Sequence, residues 1–305
     1  MPVPSVSTNF GDLLDPRFQE IAYDRWNQLP DMLPELFDFP PDNGREDMRW
    51  SEVGAFPDID EFTGSVNYLA QNQGFDVTQT HIEFAGGMQV EYKLFLNDQY
   101  HIMDQRPSGL TEAAHRTRQG DGARIFINSF ATDSRFYSHS EGVPLCSNSH
   151  ITTSGASTAN GFDNLQVSAL SGTAVAANRI SMVGFRGDQA ERISIVPDEI
   201  LIPPDLYEIA YEIIASMGKV DTADNNRNVH EGAYRLVEWN YLSDTNDWWM
   251  MDGSMRKRML KWVDRVSMQF AMAEDIDTMV AKWRLYMYYS NVWTNWRWIL
   301  GNQVS

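Results

Sequence analysis

The sequence predicts an α+β protein, and three stretches carry that prediction. Apolar side chains fall on even positions from Ile82 to Leu96, which is the period of a β-strand. A second alternating stretch, Val266–Tyr289, is interrupted only at Glu274–Asp277 and predicts a long antiparallel ribbon. Between these stretches, the short apolar run Ile200–Ile202 ends at two prolines and leads into a helix.

The segment after the two prolines has the spacing of a helix with one buried face. A proline in the first turn starts a helix without losing a hydrogen bond, and Gly218 is suited to a left-handed C-cap. The apolar positions recur at intervals of three and four residues and form one stripe, namely Leu206, Ile209, Ala210, Ile213, Ile214 and Met217. A strand, a Pro-Pro turn and a helix are therefore expected here.

Composition limits the class of protein. The 305 residues are 43% hydrophobic and 12% aromatic, enough for two modest domains with buried cores. We expect no transmembrane segment and no signal peptide, and so a chain that is made and kept inside a cell. The net charge of −18 argues against tight, sequence-independent binding of nucleic acid, because the phosphates would be repelled. The single Cys146 excludes an intrachain disulfide and is expected to be a plain thiol, packed or partly exposed, rather than a catalytic one.

Residues 1–44 are rich in proline and are predicted to form an extended arm with one short helix over Arg17–Gln28. Leu33, Leu36, Phe37 and Phe39 would be exposed on an isolated arm. We therefore expect the arm to lie across a neighbouring subunit rather than across its own domain.

Residues 45–80 show short alternating pieces mixed with glycine and acidic residues, without an apparent core. They are interpreted as a long excursion of two ribbon strands with a tip near Phe56–Glu61. Beyond them, the unbroken parity of residues 82–96 favours one strand bent at Gly86-Gly87, or a three-residue loop, over a two-residue hairpin.

A helix is predicted over Gly109–Ser134. Its apolar stripes before and after Gly120–Gly122 point in different directions, and an interior glycine costs about 1 kcal/mol relative to alanine. We expect two helices, or a sharp kink, at this position. Residues 147–161 are predicted to be a polar loop, residues 165–177 a second helix, and Tyr234–Trp239 a strand.

The order of these elements resembles the HK-97 fold of tailed-phage major capsid proteins, especially the Mu-type major head proteins. Local matches are the strand–Pro-Pro–helix passage, Gly142–Leu145, Asp247–Trp249 and Trp296–Trp298. The resemblance implies an N-terminal arm (1–44), an extended E-loop (45–80), a peripheral domain with a long helix and a β-ribbon (81–139 and 263–305) and an axial domain (140–262). One departure concerns cross-linking: no lysine precedes Lys93, so this E-loop cannot supply one for the Lys–Asn isopeptide bond of some family members.

The resemblance implies a non-enzymatic shell subunit. It would assemble with itself into hexamers and pentamers of an icosahedral capsid that encloses double-stranded DNA, touching the DNA only weakly and without specificity. Assembly in the host cytoplasm, a separate scaffolding protein, a portal and a cement or decoration protein are further expectations, with no membrane partner. Candidate contacts between subunits are Phe18, Tyr23, Trp26, Phe37, Phe39, Arg45, Arg49, Trp50, Phe56, Asp58, Asp60, Arg256, Lys257 and Arg258.

Two other functions fit the sequence less well. An encapsulin-type compartment shares the fold and would hold a cargo enzyme. An acidic carbohydrate-active enzyme would use Asp58 and Asp60 as paired carboxylates, with the Trp and Tyr residues after position 280 as a sugar platform. We expect no catalytic, cofactor-binding or metal-binding residues, because the phosphate-loop, dinucleotide and HExxH motifs do not occur.

Overall fold

The computed structural model describes residues 8–69, 71–91, 105–218, 227–275 and 280–304. The helices are α1 (Thr8–Gln28), α2 (Leu33–Leu36), α3 (Gln105–Ile127), α4 (Gly172–Val183), α5 (Tyr207–Ala215) and α6 (Gly253–Met259). The strands are β1 (Asp47–Val53), β2 (Gln73–Thr80), β3 (Ile82–Glu91), β4 (Tyr137–His139), β5 (Leu165–Gln166), β6 (Glu199–Ile202), β7 (Arg235–Glu238), β8 (Trp248–Met251), β9 (Leu260–Asp275), β10 (Val280–Trp293) and β11 (Ile299–Asn302). The α+β prediction is confirmed.

The described strands form three sheets. One has the order β1-β2-β4 and another the order β3-β10-β9, and both are antiparallel throughout. The third has the order β5-β11-β8-β6-β7 and is mixed, because β5 runs parallel to β11 and β7 runs parallel to β6. Four strands of the mixed sheet come from residues 140–262, and the fifth is β11.

The C-terminal ribbon forms as the alternation predicts. Trp283, Leu285, Met287 and Tyr289 are buried on one side of β10, while Lys282 and Arg284 between them are exposed. β3 pairs with β10 in unbroken register through Gly86 and Gly87, so it is one continuous strand as far as Glu91. The predicted continuation of β3 to Leu96 lies outside the described residues.

The prediction of a break in the long helix is wrong, because α3 runs without interruption through Gly120 and Gly122. A Cβ on Gly122 would lie 2.3 Å from Leu33 Cδ2 and 3.1 Å from Trp239 Cη2. The glycine is therefore needed for the close approach of α2 and of Trp239 to the helix, and packing offsets its poor helix propensity. The helix also begins earlier and ends earlier than Gly109–Ser134.

The strand–Pro-Pro–helix passage is confirmed, with a shorter helix than the sequence pattern suggests. β6 leads through extended Pro203 into the 3-10 turn Pro204–Leu206 and then α5. The helix ends at Ala215 with an extended Ser216, so Gly218 is not its C-cap. The helix expected over 165–177 is instead the short strand β5 followed by α4, whose N-cap Ser171 accepts a hydrogen bond from the Ala174 amide at 3.2 Å.

The N-terminal arm packs on its own domain, contrary to the prediction. α1, which includes the expected helix Arg17–Gln28, lies along α3 and also touches β9. The apolar residues of the arm are buried in the chain's own core, namely Phe18, Ala22, Leu33, Leu36 and Phe37. The arm itself is amphipathic, and α3 and the ribbon provide an apolar surface that a scan of residues 1–44 alone does not reveal.

The last strand of the predicted segment 263–305 does not belong to the ribbon. β11 leaves the ribbon and enters the mixed sheet, where it pairs with β8 and with β5. Residues 299–302 therefore pair with strands from residues 140–262, whereas the prediction grouped them with the ribbon in 263–305. The chain's C-terminal segment thus supplies a strand between β5 and β8 of the mixed sheet.

Candidate assembly surfaces

The long loop, residues 45–80, leaves the body as an antiparallel ribbon. β1 and β2 pair from Asp47↔Thr80 to Val53↔Gln73, and the described residues between them form no helix or strand. Six apolar side chains between Val53 and Tyr68 are more than half exposed, reaching 90% at Ile59 and 92% at Tyr68; the others are Val53, Phe56, Phe62 and Val66. A patch of this kind on a protein surface marks an interaction site.

The charge of the long loop has one sign beyond Trp50. Residues 50–92 contain no lysine or arginine, and the tip carries Asp58, Asp60 and Glu61. Asp58 and Asp60 are exposed, as predicted for a solvated acidic tip. A surface that combines apolar side chains with carboxylates is complementary to a surface that combines apolar side chains with lysine or arginine.

The root of the long loop is held by hydrogen bonds to the body. The Trp50 indole donates to Gln79 Oε1 at 2.8 Å, and the Gln79 amide donates to Ser290 Oγ on β10 at 2.9 Å. Farther out, the Gly54 amide donates to the Asn72 carbonyl at 2.9 Å and closes the ribbon. The loop therefore has a fixed base and an exposed end.

Two carboxylates at this root titrate differently. Burial raises the pKa of Glu52, against the opposing effects of Arg297 and of the Asn295 side chain, which donates to Glu52 Oε1. Hydrogen bonds from Ser51 and Arg49 hold the pKa of the partly buried Asp76 below its usual value. Glu52 is thus the carboxylate whose ionisation is costly in the folded protein.

Arg256 holds the arm in place from inside the protein. Its side chain is 0% exposed and makes two hydrogen bonds to Glu199, from Nε to Oε2 at 2.8 Å and from Nη2 to Oε1 at 3.0 Å. Its Nη1 donates to the carbonyl oxygens of Glu35 and Leu36 at the end of α2. Arg256 is therefore a structural link between the arm and the mixed sheet.

The structure divides the predicted contact residues into three groups. Phe18, Phe37 and Arg256 are buried within the chain, so the prediction that they contact a neighbour is wrong for this conformation. Trp26 and Trp50 are partly buried. The remaining candidates are exposed, namely Tyr23, Phe39, Arg45, Arg49, Phe56, Asp58, Asp60, Lys257 and Arg258.

The two buried phenylalanines among the candidates pack against tryptophans of the ribbon, one ring pair tilted and the other edge to face. The ring of Phe18 lies 5.2 Å from that of Trp283, and the ring of Phe37 lies 5.5 Å from that of Trp262. The tryptophans after position 280 are thus core residues, and the interpretation of them as a sugar platform is wrong. Burial in the core also raises the pKa of Cys146 to about 12, so its thiol is unreactive, as expected.

Sequence reasoning missed two exposed surfaces on helices of the mixed sheet. Ile180 and Val183 on α4 are at least half exposed, and Tyr207 and Tyr211 on α5 are stacked in solvent with ring centroids 6.0 Å apart. The available signal was the composition of α4, whose only charged residue is Arg179. A helix that is apolar on nearly every side is expected to be covered on every side.

The described residues contain no candidate metal site. No group of three or more His, Cys, Asp or Glu side chains in them could hold a metal ion. Two surface cavities measure about 240 and 280 Å³, the first beside His139 and Trp293 and the second beside Asp244 and Asp247. None of the described helices combines the length and the apolar character required to cross a bilayer.

The fold of the chain is similar to that of several solved capsid and virus-like particle proteins. The chain is similar to the mature capsid of bacteriophage PhiM1, with 8% identity, a TM-score of 0.61 and coverage of 88% of this chain and 86% of the other. It is similar to the bacteriophage JBD30 capsid, with 12% identity, a TM-score of 0.56 and coverage of 71% and 92%. It is also similar to the virus-like particle of Pyrococcus furiosus, with 11% identity, a TM-score of 0.53 and coverage of 94% of this chain and 98% of the other. Among curated proteins, no sequence matches.

These structures show that the fold is HK-97-like, in agreement with the predicted fold. A family model described as "Phage capsid protein" matches residues 76–302, well over half of the chain. The chain belongs to this phage capsid protein family and is a major capsid protein of the tailed-phage type. The likeness to the Pyrococcus furiosus particle shows that the fold alone does not separate a phage capsid from an encapsulin-type compartment; the family model favours the capsid.

Proposed function

We propose that this protein builds the capsid shell through the exposed end of its long loop, which docks on a second copy of the chain. The single observation that carries the proposal is the row of exposed apolar side chains between Val53 and Tyr68. Such side chains gain burial only when another surface covers them. Because the loop of each copy would contact a different surface on the next, the contact is heterologous and generates rings.

The proposed division of the molecule follows from these contacts. Residues 45–80 act as the E-loop, residues 81–139 with the ribbon as the peripheral domain, and residues 140–262 with β11 as the axial domain. The arm acts inside its own subunit as far as Phe37, and its exposed Tyr23 and Phe39 remain available to a neighbour. Lys257 and Arg258, exposed in the last turn of α6, are the proposed cationic partners of Asp58 and Asp60.

The net charge of the subunit is consistent with a capsid shell that does not bind the packaged DNA tightly. A subunit charge of −18 repels packaged double-stranded DNA, so contacts with the genome are weak and non-specific. The role is structural rather than enzymatic. Hexamers and pentamers, assembly in the host cytoplasm, a separate scaffolding protein, a portal and a cement or decoration protein complete the proposal, as does a place among the Mu-type head proteins.

Shortening the long loop tests the proposal. Residues 55–71 are replaced by a two-residue Gly-Ser linker, which joins two backbone positions that already share a hydrogen bond between the Gly54 amide and the Asn72 carbonyl. We expect the variant to fold with the wild-type melting temperature but to form no closed particles by negative-stain electron microscopy. The melting curve is the control that separates loss of assembly from loss of folding.

A second variant keeps the loop length. Ile59, Phe62, Val66 and Tyr68 are changed to Ser together, and assembly should again be lost with stability unchanged, because these side chains contribute nothing to the subunit's own core. The matched control changes Thr63 and Ser65 to Ala. Closed shells from both loop variants would overturn the proposal.

A further inference from the structure

The mixed sheet carries two helices whose outer faces have no partner in the described structure. α4 packs over β8 and β11, and α5 packs against β7, so the two helices cover different parts of the sheet. The α4 face consists of the exposed residues Thr173, Ala177, Arg179, Ile180 and Val183. The α5 face consists of the exposed residues Asp205, Tyr207, Glu208, Tyr211 and Glu212.

Both faces carry exposed apolar or aromatic side chains. Ile180 is 72% exposed and Val183 is 50% exposed on a helix whose opposite side, around Val175 and Met182, is already buried in the core. On α5, Tyr207 and Tyr211 stack on each other at one helical turn, with Ala210 and Ile213 buried on the opposite side. Each helix therefore has a buried apolar face and, opposite it, an outer face on which apolar or aromatic side chains lie beside charged ones.

The charges on the two faces are opposite and segregated. No Asp or Glu occurs from residue 164 to residue 187, and the α4 face carries the guanidinium of Arg179, which forms no ion pair with the described residues. No Lys or Arg occurs from residue 193 to residue 218. Asp205, Glu208 and Glu212 follow one another at spacings of three and four residues, so their carboxylates form one acidic stripe beside the two tyrosines.

We propose that the α4 face of one copy packs on the α5 face of the next copy. Arg179 then meets the carboxylates of Glu208 and Glu212, and Ile180 and Val183 pack on the stacked tyrosines. An α4–α4 contact would place two arginines together, and an α5–α5 contact would place six carboxylates together, so neither face suits a two-fold contact with itself. The contact is therefore heterologous, and repetition of it generates a ring.

This inference rests on the proposed function, since it needs copies of the chain side by side, but it concerns a different surface from the long loop. It predicts that the contact within a ring is made by the mixed sheet's helices. The long loop can then be removed without destroying this contact, which allows the two proposals to fail separately.

Thiol cross-linking tests the contact directly. Cys146 is buried and does not compete, so Val183→Cys and Tyr211→Cys are introduced separately and together, and the protein is treated with a short bismaleimide. The double variant should give a ladder of covalent oligomers on a denaturing gel, about tenfold faster than either single variant, because bound copies hold the two thiols at millimolar effective concentration. The control Val167→Cys with Tyr211→Cys pairs the tyrosine site with a position outside α4 that is more exposed than Val183, at 74% against 50%, and it should give no ladder.

The outcomes separate the possibilities. Dimers from Val183→Cys alone would indicate an α4–α4 contact and overturn the proposal. Wild-type particles without a ladder from the double variant would overturn the α4–α5 contact and leave the capsid role standing. A ladder from a chain that forms no particles would support the contact and contradict the proposed shell function.

Charge reversal provides a second readout. Arg179→Glu should abolish capsomer formation in size-exclusion chromatography, as should Glu208→Arg with Glu212→Arg. The combination of all three changes should restore it, because the ion pairs are re-formed with opposite polarity. Arg179→Lys keeps the charge and should assemble. An Arg179→Glu variant that forms capsomers like wild type, or a triple variant as defective as the two variants that it combines, would overturn the proposal.

Discussion

At the scale of the residue, the fold depends on charged groups that are buried with their partners. Arg256 is enclosed between Glu199 and the carbonyl oxygens that end α2. Removing one member of such a group leaves the other buried without compensation, which costs far more than losing an exposed pair. The run 256–258 therefore contains one buried structural residue followed by two surface residues, although all three side chains are basic.

Arg256→Ala should lower the free energy of unfolding by about 3–5 kcal/mol, because Glu199 is left buried without its main partner. Urea denaturation measures the change. Lys257→Ala, on the neighbouring exposed position, is the matched control and should stay within about 0.5 kcal/mol of wild type. Equal effects from the two variants would show that Arg256 does not link the arm to the sheet.

Glu52 gives the long loop's root a pH dependence of known sign. Its pKa is raised by burial from an ordinary value of 4.5, so the folded state holds the proton more tightly than the unfolded state. The resulting stabilisation is full below 4.5 and is lost as the pH rises through the raised folded pKa.

Glu52→Gln cannot ionise and should not suffer that loss. The unfolding free energy of the variant minus that of wild type should therefore rise as the pH increases above 4.5, then level off once Glu52 is ionised in both states. Urea titrations at a series of pH values measure this difference. Glu61→Gln at the exposed tip is the control and should give a flat difference; a flat curve for Glu52→Gln would contradict the assignment.

At the scale of the element, close packing decides whether a poor helix former is tolerated. α3 contains two glycines with opposite surroundings: a Cβ on Gly120 would meet nothing within 4 Å, whereas a Cβ on Gly122 would collide with Leu33. Propensity favours replacing both glycines, and packing forbids replacing one of them. Because Gly122 has no Cβ, Leu33 of α2 can lie directly against α3.

Gly120→Ala should therefore stabilise the protein by about 1 kcal/mol through helix propensity. Gly122→Ala should destabilise it by about 1–3 kcal/mol, because the added methyl group forces Leu33 and Trp239 to move. Thermal or urea denaturation measures the stability of each single variant. Each variant is the matched control of the other, because both add the same methyl group to α3. Stabilisation by both changes would show that α2 can shift away from α3 without cost.

At the scale of the whole molecule, two kinds of surface remain after the subunit has folded. One is the long loop, anchored at Gln79 and Glu52 but exposed beyond Val53. The other is the pair of helix faces on the mixed sheet. Both combine exposed apolar or aromatic side chains with segregated charge, so a single copy buries only part of its apolar surface; in the proposed shell, neighbouring copies would cover the rest. The arm, in contrast, is used to complete the subunit.

The sequence by itself determined the elements that rest on local periodicity. The ribbon β9–β10, the continuous β3, the Pro-Pro turn into α5 and the two-stranded root of the long loop all follow from alternation, helical spacing or proline, which act over a few residues. The exposed acidic tip at Asp58 and Asp60 also followed, because residues 50–92 contain no lysine or arginine that could form an ion pair with it.

Only the tertiary structure decided where distant segments meet. It placed Phe18 and Phe37 on the tryptophans of the ribbon and Arg256 beneath the arm. It kept α3 whole at Gly122, and it moved β11 into the mixed sheet. Each of these outcomes depends on a contact between residues far apart in the chain, and the burial energy of such a contact exceeds the local preferences that a sequence pattern records.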